Sequence, residues 1–66
     1  MNYYQMVTRW LVLAVMFEHS NPVASNVFLW EAYKGRFGKD HPRDPSMLDR
    51  LGIEAQRLVV HSINCN

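Results

Sequence analysis

The placement of proline sets the strongest limit on how this chain can fold. The three prolines fall in two short breaks, at Pro22, Pro42 and Pro45. Proline inside a helix removes a backbone donor and clashes with the preceding turn, so regular helices lie between such positions. Outside the breaks, apolar residues recur at helical rather than alternating spacing. The sequence therefore predicts three helices, over about 2–18, 22–36 and 45–64.

The residues before two of the prolines are typical of helix starts. Asn21 precedes Pro22, and Asp44 precedes Pro45. Asparagine and aspartate are favoured N-caps, and proline loses no hydrogen bond at the first helical position. We therefore expect the second and third helices to begin at these two pairs.

Glycines mark the other boundaries. Gly35 and Gly38 predict the end of the second helix, with one of them in a left-handed conformation. Gly52 lies within the third segment, where it costs about 1 kcal/mol relative to alanine and either weakens one helix or divides it in two. The predicted fold class is all-α: a compact three-helix bundle, or a four-helix bundle if Gly52 divides the last helix.

The chain is expected to form one helical domain over residues 1–66, because autonomous domains start at roughly 50 residues. With 48% hydrophobic residues and a net charge of +1, it is not a disordered tail. The lone cysteine, Cys65, cannot form an internal disulfide. Domains of this size are marginally stable and often depend on a disulfide, a metal or another chain, so association with a protein is expected.

The apolar side chains outnumber the positions that so small a bundle can bury. The first helix has an apolar stripe that we expect to face the bundle: Tyr3, Met6, Val7, Trp10, Leu13, Ala14 and Phe17. It also has apolar residues outside that stripe: Val12, Val15 and Met16. The second helix has two stripes: Val23, Val27, Trp30 and Tyr33 on one, and Ala24, Phe28 and Ala32 on the other. The main stripe of the third is Leu48, Leu51, Ala55, Leu58 and Ser62. Contiguous apolar surface left exposed usually marks an association site.

No residue pattern in the sequence is typical of a catalytic or metal site. No serine lies in a nucleophile elbow, and no glycine-rich phosphate loop follows a strand. His61 and Cys65 have a zinc-compatible spacing, but His19 and His41 lie in separate breaks and no anchoring pair accompanies them. We therefore expect no enzyme, no metal and no cofactor.

The segment 34–43 holds four of the seven basic residues together with an aromatic ring and a histidine. Such a segment can bind phosphates while the ring stacks on a base, or it can form a protein-binding hot spot. Nucleic-acid-binding domains typically have a pI above ~9. The pI of this sequence is lower, at about 8.0. A helix-turn-helix is disfavoured, because the connection before the third helix is too long and contains Pro42.

The leading hypothesis is a non-enzymatic helical protein that binds a larger protein and blocks it by occlusion. Small chains without catalytic motifs are common among phage-type and other mobile-element inhibitors of host proteins, which is an argument by analogy. The anchor would be Trp30 or Phe37, with cations directed at an acidic or apolar patch. The predicted partner-binding residues are Trp30, Tyr33, Lys34, Arg36, Phe37, Lys39, His41 and Arg43. Two alternatives remain open: a small nucleic-acid-binding regulator that uses the loop 34–43, and a homodimeric structural protein.

The sequence also bears on location. The apolar run 10–17 has eight residues, whereas a membrane-spanning helix needs about 20. The run could also be the apolar part of a signal peptide. However, Glu18 and His19 follow it directly, which is atypical of signal peptides. The expectation is a cytoplasmic protein without a membrane segment.

Overall fold

A computed structural model describes residues 2–64 of the chain. It contains three helices, α1 (Tyr3–Phe17), α2 (Pro22–Phe37) and α3 (Pro45–Asn64), packed together with no strand between residues 2 and 64. The predicted all-α three-helix bundle is confirmed, and the predicted helix limits agree with the observed ones to within a residue. Gly52 lies inside a continuous α3, so the four-helix alternative is wrong.

The two predicted N-caps are confirmed by their hydrogen bonds. The Asn21 side-chain oxygen accepts from the Ala24 backbone N–H at 3.2 Å, with proline at the start of α2. The Asp44 carboxylate accepts from the Ser46 backbone N–H at 3.0 Å and from the Ser46 hydroxyl at 2.8 Å. Each cap satisfies a donor that the first turn of a helix leaves unpaired.

The two glycines of the segment after Trp30 have different roles. Gly38 is the C-cap of α2 and has φ of 100°, as predicted for a glycine at a helix end, although its ψ of 145° is not that of a left-handed helix. Gly35 lies inside α2 rather than at its end. A Cβ atom built on it would lie 2.8 Å from Cγ2 of Val7, so this glycine allows α1 and α2 to approach closely.

Helices α1 and α2 run antiparallel and make the most extensive pairing of the bundle. Small residues of α2 face α1: the Ser25 hydroxyl donates to the Ala14 carbonyl oxygen, and Ala32 is completely buried. Helix α3 closes the bundle against both. The core comprises Val7, Leu11, Ala14, Ala32, Tyr33, Leu48, Leu51 and Ala55.

The predicted core stripe of α1 is only partly correct. Val7 and Ala14 are buried, but the central core residue is Leu11, at 2% exposure, which the prediction left out. Tyr3 and Phe17, which were expected in the core, are exposed. The reason is that α1 packs against two helices at once, which centres its buried surface on Leu11.

The C-terminal part of α3 extends beyond the bundle. Leu48, Leu51 and Ala55 are buried as predicted, but residues 60–64 are all exposed. The Gln56 side chain already reaches the carboxylate of Glu18, the C-cap of α1, at 3.2 Å. Leu58 still packs against the core, so the part of α3 that projects from the bundle is residues 60–64.

Candidate functional site

Tyr33 holds the loop between α2 and α3 in place. Its ring is 1% exposed. Its hydroxyl donates to the Pro42 carbonyl oxygen at 2.8 Å and accepts from the Asp44 backbone N–H at 3.1 Å. Tyr33 is thus a core residue with a structural role. Because the loop folds back over its ring, Tyr33 has almost no side-chain surface to offer to a partner, which weakens the support for its place among the predicted partner-binding residues.

Three further rings pack around Tyr33, and the four residues Trp30, Tyr33, Phe37 and His41 are called here the loop cluster. The ring centroids of Trp30, Phe37 and His41 lie 5.0, 4.9 and 5.8 Å from that of Tyr33. The Arg43 guanidinium lies 4.8 Å from the centroid of the Trp30 ring, a cation–π contact. Trp30 is therefore partly buried and partly covered, whereas Phe37 keeps 37% exposure.

Two of the four cations in segment 34–43 are held in ion pairs. The Lys34 ammonium lies 2.7 Å from the Glu31 carboxylate, and the Arg36 guanidinium lies 3.1 Å from that of Glu54. Exposed pairs of this kind contribute about 0–1 kcal/mol to stability, but they reduce the net charge offered to a ligand. Among the described residues, Lys39 is an exposed cation of this segment without an ion pair.

The predicted binding residues are therefore not all at one surface. Lys34 of α2 and Lys39, which follows the C-cap of α2, line a hollow together with residues of α1. Arg36 and Phe37 instead line a groove against α3. The remaining four are the core residue Tyr33 and the residues around it: Trp30, His41 and Arg43.

A second surface was not predicted as a site. The α1 face, defined as Tyr3, Met6, Trp10, Leu13 and Phe17, follows the 3–4 spacing of one side of a helix. Tyr3 is 64% exposed, Met6 41% and Phe17 36%. All five residues belong to the apolar stripe of α1 that was expected to face the bundle. The signal that could have revealed the site was the apolar character of α1 almost all round its second half, since one helix cannot bury every side.

Aromatic contacts hold two residues of the α1 face, Trp10 and Phe17, in a fixed arrangement. Phe28 of α2 lies between two rings of α1: its centroid is 5.7 Å from Trp10, with 26° between the planes, and 5.5 Å from Phe17. Such pairs add about 0.5–1.5 kcal/mol beyond area burial. A partner would therefore meet rings that are ordered before binding, which lowers the entropic cost of association.

Met6 and Trp10 form a ridge on the α1 face between two hollows. The hollow on the α2 side has a volume of about 390 Å³ and is lined further by Tyr3, Glu31, Lys34, Gly35 and Lys39. The hollow on the other side is about 160 Å³ and is lined by Arg9 and Leu13 as well as the ridge. Both are open surface depressions, suited to side chains of a partner.

Within residues 2–64, no three His, Cys, Asp or Glu side chains lie close enough together to hold a metal ion. Cys65 lies outside the described residues, so its spacing from His61 is not tested. No helix in the described part of the chain is long and apolar enough to cross a membrane.

No family model, no curated protein and no solved structure matches the chain.

Proposed function

We propose that this protein is a non-enzymatic helical binding module that covers a functional surface of a larger protein and blocks it by occlusion. The observation that carries the proposal is the α1 face, a row of apolar side chains along one helix in which Tyr3, Met6 and Phe17 are exposed and Trp10 and Leu13 are half-buried. Burying one large apolar side chain contributes roughly 1.5–3 kcal/mol. Several of them on one face supply the hydrophobic centre that protein interfaces need.

The size of the molecule is compatible with this role. A stable interface buries about 800 Å² on each partner. The accessible surface of this chain is 4919 Å², so one side of the bundle is enough. Helix α1 has 15 residues and spans about 22 Å at 1.5 Å per residue, which is comparable with the width of such an interface.

The α1 face is better suited to be the anchor than the loop cluster. Tyr33 of the cluster is buried, and Arg43 covers part of the Trp30 ring. Segment 34–43 contributes Lys34 and Lys39 at the edge of the α1 face. The ion pairs of Lys34 with Glu31 and of Arg36 with Glu54 reduce the positive charge that segment 34–43 can offer to phosphates. They therefore weaken the support for the nucleic-acid alternative, since phosphate binding depends on available cations.

The experiment that tests the proposal is cross-linked capture from the native cell with matched variants. Tyr3→Glu/Met6→Glu places charge on the α1 face at exposed positions, whereas the control Ile53→Glu/Val60→Glu places equal charge on the exposed side of α3. Both variants should keep the helical circular-dichroism spectrum. We expect one protein partner with the wild type and the control, and none with Tyr3→Glu/Met6→Glu.

A partner retained by Tyr3→Glu/Met6→Glu would refute the α1 face as the anchor. A complex that disappears on nuclease treatment, with affinity falling linearly in log–log form as salt rises, would favour the nucleic-acid regulator instead.

A further inference from the structure

We propose that the α1 face binds an amphipathic helix whose apolar stripe is bordered by aspartate and glutamate. This inference rests on the proposed function and names the class of partner for the same site. It is carried by two independent observations: the shape of the surface around Met6 and Trp10, and the distribution of charge around it.

The shape fits a helix. Residues three and four apart on a helix form ridges with grooves between them, and helices pack by placing ridges into grooves. The ridge of Met6 and Trp10 has a hollow on each side. A partner helix laid over this ridge would place apolar residues at i, i+3, i+4 and i+7 in the two hollows, as in known helix-in-groove recognition. The Trp10–Phe28 stack keeps the ridge in position.

The charge around the ridge is positive. The larger hollow is lined by Lys34 and Lys39, and the smaller one by Arg9. Glu31 is the one acid among the residues lining either hollow, and it is paired with Lys34. Cations on both sides of an apolar stripe complement acids on both sides of a partner's stripe.

The other five acids of the chain do not line these hollows. Glu18 is hydrogen-bonded to Gln56, Asp44 caps α3, and Glu54 pairs with Arg36. Asp40 and Asp49 line neither hollow. The cation excess is therefore concentrated at the α1 face, which favours and steers an acidic partner.

A second copy of the chain is a poorer occupant. Pairing two α1 faces would place Arg9 and the lysines of one molecule near those of the other, and like charges across an interface cost free energy. We therefore expect the protein to be monomeric at micromolar concentration.

The test uses the full chain and two designed helical peptides of identical length. Both carry leucine at the a and d positions of two to three heptads; one carries glutamate at the flanking e and g positions, and the other lysine. Binding is followed by fluorescence anisotropy of the labelled peptide at physiological salt. We expect the glutamate peptide to bind at least about tenfold more tightly than the lysine peptide, because each lysine peptide meets cations on both sides.

Variants locate the contact. Met6→Glu should abolish binding of the glutamate peptide. Lys39→Glu should weaken that binding several-fold and should reduce the ratio of the affinities for the glutamate and lysine peptides. The matched control is Arg57→Glu, on the outer side of α3, which should bind both peptides like the wild type. If Met6→Glu loses its helical spectrum, Tyr3→Ala, at 64% exposure, replaces it.

Equal affinity for the two peptides, or full binding by a folded Met6→Glu variant, would overturn the proposal. Sedimentation showing a wild-type dimer that Met6→Glu dissociates would instead make a second copy the occupant. If capture from cells depends on Tyr3 and Met6 but the glutamate peptide does not bind, the binding function stands and the helical, acidic class of partner is wrong. If neither depends on these residues, both proposals fail.

Discussion

At the scale of single residues, Gly35 sets how closely α1 and α2 can pack. Its missing Cβ would lie 2.8 Å from a methyl group of Val7, a buried β-branched side chain that has little freedom to move. Gly52, by contrast, would place a Cβ 3.6 Å from Leu29, an ordinary contact. The two helical glycines therefore form a matched pair.

Alanine substitution of these glycines should have opposite effects. Alanine gains about 1 kcal/mol over glycine in a helix, whereas overpacking a core costs about 1–3 kcal/mol. We expect Gly35→Ala to lower the free energy of unfolding by about 1 kcal/mol and Gly52→Ala to raise it by up to ~1 kcal/mol, measured by urea denaturation. The Val7→Ala background should remove the penalty at Gly35. Equal stabilisation by both substitutions would contradict the close approach of the helices.

The hydroxyl of Tyr33 can be tested separately from its ring. Tyr33→Phe removes the acceptor of the Asp44 N–H and one donor to the Pro42 carbonyl, which His41 Nδ1 also contacts at 2.9 Å. We expect a loss of about 1–2 kcal/mol in the free energy of unfolding, because a buried group left without a partner costs about 1–3 kcal/mol. Tyr4→Phe, at 73% exposure, is the control and should be neutral. No difference between the two variants would show that the hydroxyl does not hold the loop.

At the scale of elements, the helices were predictable and their orientation about the long axis was not. Proline, asparagine and aspartate act locally, so Asn21 and Asp44 marked the helix starts correctly. Which side of α1 is buried depends on two neighbours at once. The spacing of apolar residues could not separate Leu11 from Trp10, because both lie in a run that is apolar almost all round.

The carboxylate of Asp44, at the start of α3, makes the stability of the fold depend on pH. The Ser46 hydroxyl and backbone N–H, and to a lesser degree the Met47 N–H, hold the pKa of Asp44 below its ordinary value. Since the folded state favours the ionised carboxylate, its contribution to stability is present above pH ~4 and is lost as the pH falls through the lowered folded pKa.

Asp44→Asn keeps a capping side chain but has no carboxylate to protonate. We expect its melting temperature to fall less between pH 6 and pH 2 than that of the wild type. Ser46→Ala should lie between them, because it removes the largest cause of the shift. Asp49→Asn leaves the cap in place and should retain the wild-type pH dependence. A wild-type acid dependence in Asp44→Asn would show that this carboxylate is not responsible.

At the scale of the whole molecule, the sequence predicted the bundle and the existence of surplus apolar surface, but not its place. Eleven large hydrophobic side chains are exposed in the described part of the chain, in keeping with that expectation. The predicted site centred on Trp30 and Tyr33, yet Tyr33 lies in the core and the ordered apolar row lies on α1. Two residues of the predicted site, Lys34 and Lys39, also lie at the edge of the α1 face. What sequence alone could not supply was the folding of the loop over Tyr33, which depends on backbone groups of Pro42 and Asp44 rather than on any side-chain pattern.

The division of α1 into a buried side and an exposed side restricts how this protein can evolve. Inserting or deleting a single residue in the helix would turn every later side chain by about 100°, moving Leu11 or Ala14 toward water and bringing the outer aromatics inward. Folding and recognition would then be damaged together. New specificities should therefore arise by point substitutions along the outer row, while the length of α1 stays constant.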